Sequence, residues 1–553
     1  MSIAGVRTGR RDHLLGAALC VGYIALLVAT AGDIGMSRDE SMYVRAADQY
    51  ARWLQLLVDE PSAALQRGNI DRYWKANREH PPLAKLMFAA GHLYDAHVSA
   101  SDTPSLAYRA GGMLCAGLLL WLIYVFGAQL YGRGAGLMAA LLYALLPRPF
   151  YHAHLTCFDV PITLAIVFCV YAYYRSLLRQ RWLAMLGLAF GLALATKHNS
   201  WVLPGIFLIH FAWVHVMQVR TGHDAAARVG RNPRFLWVML LAGPPILLAL
   251  WPWVWNDTAA RLGWYIAFHM KHDYYNMAYL GQNHFWPPFP VSFPWVMTWM
   301  TVPLTTLALA LIGVGIEGRQ MLDRLRSRTP AADPRQPAVL LLGCMLAPLV
   351  MISLPSTPIF GGTKHWMTGY PFLCIFGGLA FMSAVDWARP RLAAAASVLR
   401  GPVLPVAAGA VLLLPSALET AHSHPFGLSH YGVGAGGVPG SADLGMNRQF
   451  WGFTTRSVTD YLAEHAPPGA RIYICDTTGG AFRMLQRDGW LPDHLRPTGH
   501  IGNADFALVH HEHHFAEVDH QIWSTYGSVR PVHVLTYDGV PIVSVYRNPR
   551  IKR

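Results

Sequence analysis

Blocks of apolar residues roughly 20 long recur between residues 14 and 418, each long enough to cross a bilayer core as one helix. Backbone N–H and C=O groups have no water to bond inside lipid, so a chain of such blocks can only stack them as helices. Residues are 53% hydrophobic and 14% charged, too apolar for a soluble protein of this length. The reading is an α-helical polytopic membrane protein. A net charge of +13 would raise nucleic acid as a partner in a soluble chain. Here the arginines sit in short loops between apolar blocks, which the positive-inside rule explains, so the partners are membrane lipids and no nucleic acid.

About eleven spans are predicted, at 14–32, 107–130, 134–149, 158–177, 182–197, 200–219, 235–254, 294–316, 337–354, 369–387 and 402–418. The stretch Ala84 to His97 is amphipathic and is read as an interfacial helix. Arg7, Arg10 and Arg11 precede the first span and place the N-terminus in the cytoplasm. If the spans alternate, the arginine clusters fall on that same side. They are Arg133; Arg175, Arg179 and Arg181; Arg220, Arg228, Arg231 and Arg234; Arg319, Arg324, Arg326, Arg328 and Arg335; and Arg389, Arg391 and Arg400. An odd number of spans puts the C-terminal part outside the cytoplasm. The first apolar block is read as an uncleaved anchor, with a signal cleaved after Ala29-Thr30-Ala31 as the alternative.

Asp39 and Glu40 stand side by side just past the first span. Two adjacent carboxylates at a membrane exit are costly unless they face water or a polar cleft. They fit a general base beside a sugar or phosphate, or the acidic start of a solvated helix. They open a long outward loop, about 33–106, that also holds Arg78-Glu79-His80-Pro81-Pro82-Leu83 and is expected to form ordered helices on the membrane. The other outward loops carry Arg148, His152, His154 and Asp159; then Lys197 to Asn199; then His269, His272, Tyr275 and Tyr279; then Lys364 and His365. A lysine at a span end usually anchors at the interface. Arg148, Lys197 and Lys364 on one face with acidic residues suit a bound phosphate beside an acid/base pair.

Residues 1–419 form the membrane domain, and 420–553 are soluble in character. Strands are predicted at Arg471 to Cys475, Phe506 to His510, Val532 to Tyr537 and Ile542 to Arg547, with helices near Thr455 to Ala466 and Gly480 to Arg487. The stretch Gly432 to Gly440 reads as a loop leading into this small extracytoplasmic α/β domain. Its run His510, His511, His513 and His514 is read as surface. The seven cysteines form neither a disulfide framework nor a metal motif.

Together these residues resemble the protein O-mannosyltransferase and aminoarabinose-transferase-like families, glycosyltransferases of the C type, in a bacterial form. The resemblance rests on Asp39-Glu40 followed by His80-Pro81-Pro82-Leu83 and on Gly187 to Lys197. It continues through His272 to Gly281 and through Gly362-Thr363-Lys364-His365 before Tyr370-Pro371. It implies an inverting enzyme in the plasma membrane. Such an enzyme moves a sugar from a polyprenyl-phosphate carrier to an outer-face acceptor, a protein Ser/Thr or a lipid or cell-surface glycan. The rival class is a transporter or flippase of lipid-linked sugars, which would favour internal repeats and broken helices; no repeat is evident.

On that reading Asp39 is the base and Glu40 holds Asp39 or the acceptor. Arg148, Lys197 and Lys364 bind the donor phosphate. His80, Asp159, His272, Tyr279 and His365 bind substrate or structure the loops. The bland alternatives are packing for His80, a helix cap for Asp159 and an interfacial aromatic belt for Tyr279. No cofactor is required; a divalent metal on Asp39, Glu40 or a loop histidine is the lesser reading.

Overall fold

The computed structural model describes residues 8–99, 101–221, 230, 232–327, 336–359, 361–395 and 401–551. Of the arginines used for orientation, Arg7, Arg228, Arg231, Arg328, Arg335 and Arg400 lie outside these residues. Each predicted span holds a helix. Five are long and apolar enough to cross a membrane alone: Arg10–Asp33, Pro104–Tyr131, His198–Arg220, Met367–Leu392 and Val403–Ser423. Others, such as Trp182–Leu194, Arg234–Leu250 and Pro337–Ser353, are shorter apolar helices. The protein is an integral membrane protein.

Two predicted spans are broken, both at proline. Phe293–Thr301 and Leu304–Arg326 meet at 120°. Pro303 lies in the break and pushes Val302 to an extended conformation (φ −100°, ψ 131°). Likewise Leu146 is extended (φ −92°, ψ 118°) before Pro147, and a separate short helix, Pro147–Ala153, follows. The helices pack closely through glycine. A Cβ on Gly136 would stand 2.4 Å from the Tyr124 carbonyl oxygen, so Arg133–Ala144 lies flush on Pro104–Tyr131 only because that position has no side chain.

The first inter-span segment is helical, as expected. Arg38–Asp59 starts with a capping box in which Ser37 N–H donates to Glu40 Oε2 (2.9 Å). The Leu83–Tyr94 helix packs between it and the Pro104–Tyr131 helix. Ahead of it, the Lys85 ammonium donates to the carbonyls of Asn77 (2.6 Å) and His80 (2.8 Å), clamping the turn that presents Glu79 and His80.

A hairpin, β1 (Met277–Tyr279) and β2 (Gln282–His284), lies in the fourth loop. The C-terminal domain holds β3 (Arg471–Tyr473), β4 (Arg496–Thr498), β5 (Phe506–His510), β6 (His533–Tyr537) and β7 (Val540–Arg547). They form one sheet in the order β4-β3-β5-β7-β6, parallel from β4 to β5 and antiparallel beyond. The four predicted strands are present. The edge strand β4 was not expected, since Pro497 at its centre argues against a strand. The helix Ala516–Tyr526 was also missed, although Glu517 and Asp519 in its first turn and Gly527 (φ +70°) after its end mark both termini. The stretch Gly432 to Gly440 is not a plain loop: Val433–Ala435 is a 3-10 turn and Gly437–Asp443 a short helix.

Candidate active site

A cavity of about 810 Å³ opens where the predicted outward loops and the C-terminal domain meet. Asp39, His80, Asp159, Lys197, His272, Lys364 and His365 all line it. These positions come from five loops scattered over more than half of the chain.

Asp39 is the second residue of its helix, and its Oδ2 accepts from Lys364 Nζ at 3.1 Å. Arg38 Nε stands 3.6 Å from Oδ1. Burial alone would push this carboxyl up. The Lys364 and Arg38 charges outweigh burial and hold it below the usual carboxylate range. Lys364 is delivered by a backbone that needs glycine: Gly361 and Gly362 both have positive φ (+70° and +66°). A Cβ on Gly361 would also lie 2.5 Å from the Trp451 ring. That ring lies 4.4 Å beneath the Lys364 ammonium.

A second lysine–aspartate pair lines the same cavity. Lys197 Nζ donates to Asp159 Oδ1 at 2.8 Å, and His152 Nδ1 lies 3.4 Å from Oδ2. Asp159 is close enough to Asp39 that its charge opposes ionisation there. The cavity thus presents two lysine–aspartate pairs, with Arg38, Glu79 and Glu512 also on its wall. His80 packs its ring 4.8 Å from Phe158. Burial, with Lys197 and Lys85 nearby, holds its pKa well below the usual value, so it meets a ligand as a neutral imidazole.

Three sequence-predicted residues do not line the cavity. Glu40 is completely buried and does not reach the cavity that Asp39 lines. Consecutive helical residues point about 100° apart, and Glu40 turns back to cap its own helix. Its carboxylate accepts from Arg109 Nε (3.1 Å), Thr156 N–H (2.9 Å) and Ser37 N–H (2.9 Å). It touches neither Asp39's carboxylate nor the cavity, so it supports the site through the backbone. Arg148 is also fully buried, behind the glycine loop, with its guanidinium 5.1 Å over Tyr431 and 5.5 Å over Phe450. Tyr279 packs on Phe293 and its hydroxyl meets Ser292 Oγ at 2.9 Å.

The histidine run is only partly at the surface, with His511 and His513 half-buried. His510 is fully buried and bonds Thr455 Oγ1 (3.0 Å), and His514 lines the cavity. Trp451, Glu512 and Asn447 also reach the cavity wall from the C-terminal domain. No local pattern marks them, because they meet Asp39 only through chain separations of 400 residues or more.

Among the described residues one group has metal-ligand geometry: His152, Cys157 and Asp159, with donor atoms within 4.8 Å of one another. It includes the loop histidine His152 but neither Asp39 nor Glu40. Its carboxylate is already charge-neutralised by Lys197.

Residues 79–230 match the family model described as dolichyl-phosphate-mannose-protein mannosyltransferase, a stretch that contains His80, Asp159 and Lys197. The chain therefore resembles that family over this stretch. No curated protein matches it. Among solved structures it is similar to ArnT from Cupriavidus metallidurans bound to undecaprenyl phosphate. That match has 14% identity and a TM-score of 0.49, covering 96% of this chain and 97% of that one. It is also similar to the Archaeoglobus fulgidus oligosaccharyltransferase tethered with an acceptor peptide. There identity is 10% and the TM-score 0.49, over 94% of this chain and 71% of that one.

Proposed function

We propose that this protein is an inverting glycosyltransferase of the C type that moves a hexosyl or pentosyl group from a polyprenyl-phosphate donor to a hydroxyl acceptor. The acceptor is a protein Ser/Thr or a lipid or cell-surface glycan, and the cavity opens on the outer face of the plasma membrane. The observation that carries the reading is Asp39: a carboxylate kept ionised between two cations, in a cavity with a second lysine, in a chain that resembles this family beside it.

Asp39 takes the proton of the acceptor hydroxyl as its oxygen attacks the anomeric carbon from the face opposite the phosphate. The new C–O bond forms as the bond to phosphate breaks, and polyprenyl phosphate leaves with the electron pair. Lys364 and Lys197 stabilise the charge that develops on it. Each sits on a carboxylate and is a compact, flexible donor that can be shared with an incoming phosphate. Neutral His80, with His272 and His365, contributes hydrogen bonds from the wall. Arg148 braces the loop of Gly361 and Gly362 from behind. The lysines supply the positive charge, so no metal is required in this scheme.

The test is purified protein in vesicles given a polyprenyl-phosphate sugar and hydroxyl acceptors. Glycosylated acceptor together with free polyprenyl phosphate is expected, and chelator leaves the rate unchanged. Movement of intact donor across the bilayer without product contradicts the reading and favours a flippase.

Lys364→Met gives a pH test with a defined sign. In the parent, the cations lower the Asp39 pKa, so the base stays active down to an acidic limb below the usual carboxylate range. Removing Lys364 leaves burial less opposed, and that limb moves to higher pH. The pH dependence of kcat/KM reads the shift; an unmoved limb contradicts Asp39 as the titrating base.

A further inference from the structure

Both cations that hold Asp39 ionised are themselves held by the C-terminal domain. Lys364 rests on the Trp451 ring. Arg38 Nη1 lies 2.5 Å from Asp476 Oδ1, while its Nε faces Asp39. One guanidinium therefore bridges a carboxylate in the membrane domain and another 437 positions later. The Asp476 side chain is 1% exposed and the Arg38 side chain 37%, so the carboxylate end of the pair is buried while the guanidinium keeps contact with solvent.

Backbone geometry supports a built link. Arg38 N–H donates to the Trp451 carbonyl at 2.8 Å. Trp451 sits at φ +63°, a conformation that costs a bulky residue energy and persists only where its surroundings enforce it. The following residue, Gly452 (φ +58°), lets the turn press on the Asp476–Thr477 backbone, where a Cβ would lie 2.9 Å away. The charged groups facing Asp476 are Arg38, Asp39 and Glu512. Burial raises both carboxyls of this pair, Glu512 well above its usual range with the Asp476 charge adding to the rise, while the Arg38 charge opposes the rise at Asp476.

We propose that Asp476 is a positioning residue of the transfer reaction: it fixes the Arg38 guanidinium against Asp39, so the C-terminal domain completes the catalytic site. This rests on the transferase reading of Asp39 given above. Asp476 touches no reacting atom; it sets where Arg38 stands, and Arg38 sets the charge and orientation of the base.

The experiment is a double-mutant cycle on sugar transfer by the full-length protein, with donor KM and kcat measured separately. Asp476→Asn is expected to lower kcat about 10- to 100-fold, the scale of a misplaced catalytic group, with donor KM within about twofold. Asp476→Glu recovers part of the rate. In an Arg38→Gln background, Asp476→Asn causes no further loss. Ser41→Ala removes a different contact between the same two elements, Ser41 Oγ to Thr478 Oγ1 (2.7 Å), together with the Ser41 hydroxyl's bond to the Arg38 carbonyl (2.7 Å), leaves the Arg38 guanidinium on Asp476, and keeps the parent rate. If Asp476→Asn does not fold, Arg38→Lys keeps one charge but cannot fork between two carboxylates, and is expected to show the same kcat loss.

The proposal is overturned if Asp476→Asn keeps the parent kcat. It is equally overturned if its loss adds in full to that of Arg38→Gln, or if Ser41→Ala loses as much. Asp39→Asn is run alongside. A full rate there removes the transferase reading and this proposal together, whereas a slow Asp39→Asn beside a fast Asp476→Asn removes only this one.

Discussion

Arg109→Met is expected to destabilise the protein by about 3–5 kcal/mol, the cost of stripping one partner from a buried ion pair. Arg109 stands within the Pro104–Tyr131 helix and is 2% exposed. Besides Glu40, its guanidinium donates to the carbonyls of Ile34 (2.9 Å) and Gly35 (2.8 Å), where the chain leaves the first membrane helix. Methionine fills the volume but leaves Glu40 charged and buried with only backbone N–H donors. Those two carbonyls lose their partner as well. The consequence reaches the site, because Glu40 also holds Thr156 N–H, and so ties the start of the Asp39 helix to the turn that delivers Asp159. A thermal or denaturant midpoint in detergent measures the loss. The double variant Glu40→Gln/Arg109→Met is expected to recover much of it, since no buried charge is then left unpaired. Equal stability of Arg109→Met and the parent contradicts the role given to this pair.

Asp39→Asn is expected to lower kcat by about 10²–10⁴, the usual worth of a positioned general base. Asparagine matches aspartate in shape, so the helix start and its capping box at Ser37 and Glu40 persist. It accepts no proton, and it no longer offsets the Lys364 charge. Donor binding is therefore expected to hold or tighten while the chemical step fails. That pattern separates a base from a binding residue, whose loss would raise KM.

Much of this site was legible in the sequence, for a physical reason. Charged and polar residues at membrane exits need a polar cleft, so Asp39, Asp159, Lys197 and Lys364 were recognisable one loop at a time, and the cavity gathers them. Span positions followed from apolar block length, while the breaks at Pro147 and Pro303 needed the geometry of the residue before proline. Adjacency in sequence puts Glu40 beside Asp39, but consecutive helical residues point about 100° apart, and Glu40 turns toward Arg109 and Thr156 instead of the cavity. Arg148 and Tyr279 lie in suitable loops but turn into the packed interior, a choice set by neighbours such as Tyr431 and Phe293. Trp451, Asp476 and His514 left no local signal, since their importance comes only from where the C-terminal domain docks.

The most direct measurement is single-turnover transfer from a polyprenyl-phosphate sugar to a hydroxyl acceptor, comparing the parent with Asp39→Asn and resolving the anomeric configuration of the product. The account predicts inverted product and one polyprenyl phosphate released per sugar moved by the parent, with a chemical step slowed at least about 100-fold in the variant. Retained configuration, or a variant as fast as the parent, would contradict it.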